Sequence, residues 1–511
     1  MTVNGTTYTA APADASATTF IAGQNYLGIT GVTDGSGNLQ FTYNYAVGEA
    51  DINGIQLSVA SVTNTPPSIT AQPTSQVVAE GGSVNLSVTA TGDAPLAYQW
   101  FKDGRMVVGA TSSALNIANA SVTDSGVYYV VVAVVANASD LLISLPVTVT
   151  VGTPQLMAWG DNYNGNLGDG TYTDRHSPVS VAGNVVTAAA GGGYWEDPDT
   201  AFENSYSLYL RSDGTAWGTG FGFGTGQMAI VVVSNVVAVA AGFYHSLYLK
   251  SDGILWAMGN NGDGQLRDGT TTDRNLPESV ASNVVAVAAG YLHSLYLKSD
   301  GTLWAMGDNE YGQLGDGTTT HRKSPVAVLG GSNVVAVAAG FNHSLYLKSD
   351  GTLWAMGDNT SGDLGDGTTT QRNSPVAVKG GTNVVAMAAG NIHSLYVKGD
   401  GTLWAMGDNE YGQLGDGTTT QRKSPVAVLG GSSVIAVAAG FAHSLYLTKG
   451  GNLWVMGWNS HGQLGDGTTT VRHSPVQVSG MFLANINSGN YANFTLAVGV
   501  PLLITSQPAS Q

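Results

Sequence analysis

The sequence predicts an all-β protein, most of it a seven-bladed propeller with β-sandwich segments before it. Three observations predict this. A stretch ending in glycine, typified by Leu-Trp-Ala-Met-Gly, recurs at Gly160, Gly220, Gly259, Gly307, Gly357, Gly407 and Gly457, with spacings of 60, 39, 48, 50, 50 and 50 residues. Five of the seven, from Gly220 to Gly407, are preceded by a short apolar run and a Ser-Asp-Gly or Gly-Asp-Gly turn, which is a hairpin signal. The composition is poor in helix formers: 10% of the 511 residues are charged, and 70 are glycine.

One unit reads in order. "LWAMGDN" is a short strand, and "EYGQLGDGTTTQRKSP" is a long turn-rich connection. "NVVAVAAG" is a strand of small residues, suited to the crowded centre of a ring, and "HSLYLKS" is its hairpin partner. A unit of about 50 residues with three or four strands is the size of a propeller blade. The units run from 154 to 499. The first begins with "LMAWG" (156–160), which has no preceding partner, and the last ends with "NFTLAV" (493–498), which has no following one. Pairing the two closes the ring and removes both edges.

"VAAGFYHSLYL" (239–249) and "GDNEYGQLGDG" (307–317) resemble the two signatures of the regulator of chromosome condensation repeat. The resemblance implies a seven-bladed propeller, matching the count of units. The family's best-known activity is nucleotide exchange on a small nuclear GTPase, with chromatin binding; other members inhibit enzymes by laying one face over the target.

Residues 66–152 resemble an immunoglobulin-like sandwich. "SVNLSVTA", "LAYQWFKDG", "SALNIAN" and "GVYYVVVA" are its strands, Trp100 is the core tryptophan, and "DSGVYYV" (124–130) resembles a tyrosine corner with Tyr128 as the tyrosine. The two cysteine positions of that fold fall on Val88 and Val130, so apolar packing replaces the disulfide. "ITSQPAS" (504–510) repeats "ITAQPTS" (69–75), so residues 501–511 read as the start of a further such domain. Residues 1–62 read as the closing strands of another sandwich.

The formal charge of −17 argues against a nucleic-acid backbone as partner. With no cysteine there is no disulfide, thiolate metal site or cysteine nucleophile. No run is long enough for a membrane helix. "MTVNGTTYTA" carries no signal peptide, so the expectation is a piece of a larger exported or surface-displayed bacterial-type chain, extracellular or at the cell surface, with other immunoglobulin-like domains beside this one.

Five histidines, His245, His293, His343, His393 and His443, occupy one place per unit. A residue copied into every blade is expected to serve the fold, hydrogen-bonded inside it. Tyr206 takes the place in the first unit and Ala492 in the last. Asp308, Asn309 and Asp316 could supply oxygens to calcium, but the spacing is not an EF-hand and the same residues build turns. Arg175, Arg274, Arg322, Arg372, Arg422 and Arg472 follow these loops and are expected to clamp them. Trp256, Trp304, Trp354, Trp404 and Trp454 are expected between blades.

Departures from the repeat are the better functional pointers. The first unit carries an insertion (192–207) with Tyr194, Trp195 and Phe202 among Glu196, Asp197, Asp199 and Glu203, an aromatic and acidic loop expected to bind a ligand. In the second, "GFGFGTGQMAIVVVSN" (220–235) lacks the Leu-Gly-Asp-Gly loop. No nucleophile elbow, zinc-protease helix or phosphate loop occurs, so no catalytic residue, cofactor or metal is assigned. The expected function is binding of a protein or glycan through a propeller face, as in adhesion. A nucleotide-exchange or chromatin regulator, an enzyme inhibitor and a polysaccharide-active enzyme with paired carboxylates are the alternatives.

Overall fold

The computed structural model describes residues 2–3, 6–7, 41–42, 65–135, 137–193, 204–223, 229–267, 269–449, 451–489 and 491–501. Residues 1–63 form one compact unit and 64–511 a second. In the first, Thr2–Val3 pairs antiparallel with Thr6–Thr7 and with Phe41–Thr42. The rest of the expected N-terminal sandwich segment, and residues 502–511, lie outside the described residues.

Residues 68–151 of the second unit form the immunoglobulin-like sandwich. Val84, Leu86, Val88, Val130, Val132, Val147 and Val149 bury their side chains around Trp100. Tyr128 donates its hydroxyl to the Asp124 carbonyl at 2.8 Å, as the tyrosine corner requires. Val88 and Val130 fill the expected cysteine positions in this core. The strand Gly126–Val134 reads as a continuous apolar run because both its faces are covered. Tyr128, Val130 and Val132 point into the sandwich. Tyr129 and Val131 point out of it, into the core of the ring.

The remainder is a ring of seven four-stranded antiparallel sheets. Blades 1 to 6 have inner strands Val185–Gly191, Val236–Ala241, Val284–Ala289, Val334–Ala339, Val384–Ala389 and Val434–Ala439. Blade 7 joins the two ends of the ring: Met481–Asn487 and Phe494–Pro501 pair with Gln155–Gly160 and Arg175–Gly183. The predicted closure is the Gln155–Gly160 to Phe494–Pro501 pairing, with Ala158 opposite Leu496.

The outer strand of each blade begins inside the stretch read as connection. Arg322–Ala327 is one such strand, and it tolerates Pro325 because it has a neighbour on one side only. Between blades, Leu247, Leu249, Leu255 and Ala257 of blade 2 pack against Tyr296, Trp304 and Met306 of blade 3. The tryptophans therefore lie between blades as expected. They are only half-buried; Trp304, Trp354 and Trp404 each stack on a tyrosine of their own blade (Tyr296–Trp304, 6.5 Å) and are topped by a lysine (Lys298, 4.4 Å).

The sandwich sits on the side of the ring where inner strands begin. Tyr129 donates its hydroxyl to the Val335 carbonyl (2.6 Å), and the Ile143 amide donates to Ser299 (2.7 Å). Arg105 reaches the Val437 carbonyl (3.4 Å) and Lys102 the Ala484 carbonyl (3.3 Å). Phe101, stacked on Tyr129 at 5.1 Å, and Leu141 and Ile143 join the core of blades 3 and 4. The axial cavity, about 290 Å³, is lined by all seven inner strands and closed on this side by Asp103, Gly104, Arg105 and Tyr129.

Candidate functional site on the open propeller face

The repeated histidines are answered first, because a histidine beside a serine is also the geometry of a nucleophile. His245, His293, His343 and His393 place Nε2 at 2.9–3.0 Å from Ser294, Ser344, Ser394 and Ser444 of the next blade. Each serine Oγ donates onward to a backbone carbonyl, of Gln265, Gln313, Asp363 and Gln413 respectively. The serine's one proton is thus committed, and the imidazole must be the neutral Nε2–H tautomer that donates to it. The serine is not activated, and the exposure of both residues is 3% or less. Burial pushes these histidines down to about 3 or 4, which keeps them neutral. They are latches between blades. Gly340 makes room for one: a Cβ there would stand 2.2 Å from the His343 ring.

The ends of the series differ. Tyr206 takes the histidine position in blade 1, as read, and its hydroxyl donates to the Gly242 and His245 carbonyls. In blade 7 the position belongs to Phe494, not Ala492: Phe494 pairs with Gly160 as His343 pairs with Gly357. The turn from Gly489 to Phe494 is two residues longer than that from Gly340 to His343, which shifts the alignment. His443 meets Thr495 (3.1 Å) and Ser488 (2.6 Å) instead of a serine at the usual place.

The long loops hold themselves. Asn309 Nδ2 donates to Asp316 Oδ1 (3.2 Å) and to the carbonyls of Thr318 and Thr320 (both 3.1 Å), while its Oδ1 accepts from Leu314 N. Asp316 Oδ1 accepts from Thr318, and its Oδ2 pairs with Arg322 at 2.6 Å. Arg175, Arg372, Arg422 and Arg472 clamp Asp169, Asp366, Asp416 and Asp466 the same way, and Arg274 pairs with Glu278 at 3.2 Å. The oxygens weighed for calcium serve these bonds.

On the side away from the sandwich, the far mouth of the axial cavity is covered by aromatic rings. Tyr491, carried by the lengthened blade 7 turn, stands within 4.9–5.9 Å of Phe243, Tyr291, Phe341 and Phe441. Blades 2, 3, 4 and 6 each contribute a ring from the residue after the inner-strand glycine; blade 5 contributes Asn391. A second substitution lies nearby. Where blades 3, 4 and 5 have Asp308, Asp358 and Asp408, blade 6 has Trp458, which sits 5.7 Å from Tyr411 and 5.8 Å from Phe441. The missing ring and the added one leave a pocket of about 200 Å³ between blades 5 and 6, lined by Asn391, Ile392, Asp408, Glu410, Tyr411, Phe441, Ala442, Trp458 and Tyr491. Sequence reasoning passed over it. Its signals are "GNIH" in place of "GFNH" and "GWNSH" in place of "GDNEY".

Beside the pocket, His461 presents its ring at 5.6 Å to Trp458, edge to face, and Nδ1 lies 3.1 Å from Asp174 Oδ2. Asp161, Asp174 and His461 hold ligand atoms within 4.8 Å of one another, the best-placed set for a cation among the described residues. Burial, and then the charge of Asp174, raise the pKa of Asp161. In blade 4, Asp363 stands where its neighbours have Gln313 and Gln413. Those glutamines donate to Asp308 (2.8 Å) and Asp408 (2.7 Å); Asp363 cannot donate when ionised, and both its buried oxygens are without a hydrogen-bond partner. Burial and Asp358 push its pKa well up.

The insertion chosen from sequence, with Tyr194, Trp195, Glu196, Asp197, Asp199, Phe202 and Glu203, lies outside the described residues. Its two ends are described and emerge on this same face. Gly193 lies against Tyr491, where a Cβ would come within 2.1 Å of the ring, and Asn204 donates to the Tyr244 hydroxyl at 3.0 Å.

Comparison with known proteins agrees with this architecture. An immunoglobulin domain profile matches residues 66–133. Among solved structures, yeast RCC1 (Prp20) bound to Kap60 superposes with a TM-score of 0.60 at 21% identity, over 69% of this chain and 90% of that one. Human WBSCR16 gives 0.60 at 22%, over 68% and 100%. Prp20p from Saccharomyces cerevisiae gives 0.59 at 20%, over 69% and 92%. Among curated proteins none matches. The profile of the RCC1-like domain covers residues 213–499, more than half of the chain, and with seven blades closed by its own two ends the chain belongs to that family.

Proposed function

We propose that this chain is a non-enzymatic binding module that engages a partner protein through its open propeller face. The observation that carries the reading is the inequality of the two faces. One is taken by the immunoglobulin-like domain, whose Phe101, Tyr129, Leu141 and Ile143 are part of the ring's own core. The other carries the aromatic cluster around Tyr491, the pocket beside it and both ends of the acidic insertion. Aromatic residues in a partly covered cluster are the usual anchors of protein interfaces. The family is generally one of binding and exchange-factor folds, and the structures of the yeast relative are described with Kap60, Gsp1p and histones as partners. The charge of −17 favours a basic partner surface. We place the chain outside the cell or on its surface, in an adhesive role, from its immunoglobulin-like domain; a glycan is the alternative partner under that reading.

The test is partner capture by the immobilised full chain from the surroundings of the producing organism. Three baits are compared: the chain as it stands, a variant with residues 194–203 deleted and Tyr244→Ala, and a variant altered on the outer rim at Lys348→Ala. The expected result is a partner held by the first and third baits and lost from the second. Equal capture by all three would place binding away from the open face.

A further inference from the structure

We propose that the pocket between blades 5 and 6 is a receptor for a single cationic side chain, arginine above lysine, presented by the partner protein. The proposal rests on the open face being the binding face and names what that face recognises.

Both charged groups of the pocket, Asp408 and Glu410, are acceptors. Asp408 has one oxygen occupied by Gln413 Nε2 at 2.7 Å and keeps the other for the pocket. Glu410 is exposed at the rim. Among the described residues neither carboxylate has an ion-pair partner within 4.0 Å. Asn391 is 8% exposed, and its Oδ1 has no hydrogen-bond partner.

The apolar walls fit the same ligand. Trp458 stands 5.7 Å from Tyr411 and 5.8 Å from Phe441 around one space, and Tyr491 closes its inner side. Aromatic faces attract a cation, tryptophan most of all. A guanidinium is planar, stacks on such faces, is weakly hydrated and carries several donors, so it can serve both carboxylates at once; an ammonium offers a point charge with heavier hydration. An uncharged or anionic group would leave two carboxylates facing an apolar wall. The volume, about 200 Å³, accommodates one side chain and not a folded element.

The repeat itself supplies a comparison within the molecule. Between blades 3 and 4 the equivalent place is filled by Tyr291 against Phe341, with ring centres 4.2 Å apart. Asn391 and Trp458 are the two departures that convert a packed junction into a receptive one.

The probes are N-acetyl-arginine methylamide, its lysine counterpart and N-acetyl-citrulline methylamide, the neutral isostere of the first. Binding to the full chain is followed by ligand-observed NMR up to 50 mM. Expected are saturable arginine binding, at least 10-fold weaker citrulline binding, intermediate lysine binding, and weakening of the arginine probe as NaCl rises from 0.05 to 0.5 M. Glu410→Gln, an exposed change that leaves the fold intact, and Trp458→Leu should each weaken the arginine probe about 10-fold. Equal affinity for arginine and citrulline, no binding at 50 mM, or indifference to both substitutions would overturn the proposal. In the capture experiment, a partner lost on altering the open face but untouched by Glu410→Gln and by excess arginine probe would sink the pocket while leaving the face. A partner indifferent to the open face sinks the broader reading.

Discussion

At the junction of blades 3 and 4, Tyr291 and Phe341 meet at 4.2 Å and His293 latches onto Ser344. At the junction of blades 5 and 6 the latch is the same, His393 on Ser444, but Asn391 stands in place of the ring and a pocket opens above it. The two junctions share their buried layer and differ in the layer that meets solvent. The difference separates two jobs within one repeat. Residues copied from unit to unit hold blades together, and residues that break the copy shape the face.

The largest effect should come from breaking the copied layer with acid. The unfolded chain takes up protons on its histidines near pH 6.5, whereas the folded ones stay neutral to about 3 or 4. Their contribution is complete above pH 6.5 and is lost as the pH falls toward the folded values, because below 6.5 the unfolded state binds more protons. Each buried histidine therefore costs about 2 kcal/mol of stability between pH 7.5 and 5. Urea denaturation at both pH values should give a steep loss for the natural chain and, in His343→Gln, a lower starting stability but a loss smaller by about that amount. An unchanged loss would mean the histidines are not neutral in the fold.

A second experiment restores the copy where the loop of blade 4 departs from it. Asp363→Gln supplies the donor to Asp358 that Gln313 gives Asp308, and should stabilise the chain by about 1–3 kcal/mol at pH 7.5. The raised folded pKa of Asp363 means that its penalty is absent below the unfolded value near 4 and grows as pH rises. The gain should accordingly shrink at pH 4.5 relative to pH 7.5; a gain independent of pH would show that charge is not the cause.

Smaller effects test the seal and the outer layer. Tyr129→Phe removes the 2.6 Å bond to Val335 and leaves a buried carbonyl bare, for a loss of about 1–2 kcal/mol in thermal unfolding of the joined sandwich and ring. Ile254→Thr should be a gain, of up to about 1 kcal/mol. In blades 3, 4 and 5 the indole Nε1 of Trp304, Trp354 and Trp404 donates to a threonine at 3.1 Å, while Trp256, next to Ile254, has a buried Nε1 with no partner. If calorimetry shows Ile254→Thr to be destabilising, the apolar contact of Ile254 outweighs the bond.

The ring was legible in the sequence because its physics is periodic. Seven glycines, a recurring hairpin turn and an unpaired strand at each end leave one closed arrangement, and the pairing of Gln155–Gly160 with Phe494–Pro501 is the predicted one. The histidine latch was legible as structural for the same reason, a residue copied blade by blade. Phe494 was misplaced as Ala492 because an unrepeated turn, two residues longer, carries no periodic mark. The pocket was missed for a related reason: Asn391 and Trp458 are single substitutions in otherwise identical units, and only their meeting in space across a blade junction makes a site. The seal had no period at all. The unbroken apolar run through Tyr129 hinted that both sides of the strand were covered, but not by what.

The chain enters the ring at Gln155 and leaves it past Gly499, and these two residues are opposite one another in antiparallel register. A pull applied across those points would not load the hydrogen bonds of the seam together. It would open them one after another from Gln155 toward Gly160, as a zip opens, while the histidine latches of the other blades stay unloaded. Under tension the seam between Gln155–Gly160 and Phe494–Pro501 is the weak link of the ring, and the length hidden in seven blades would be released from there.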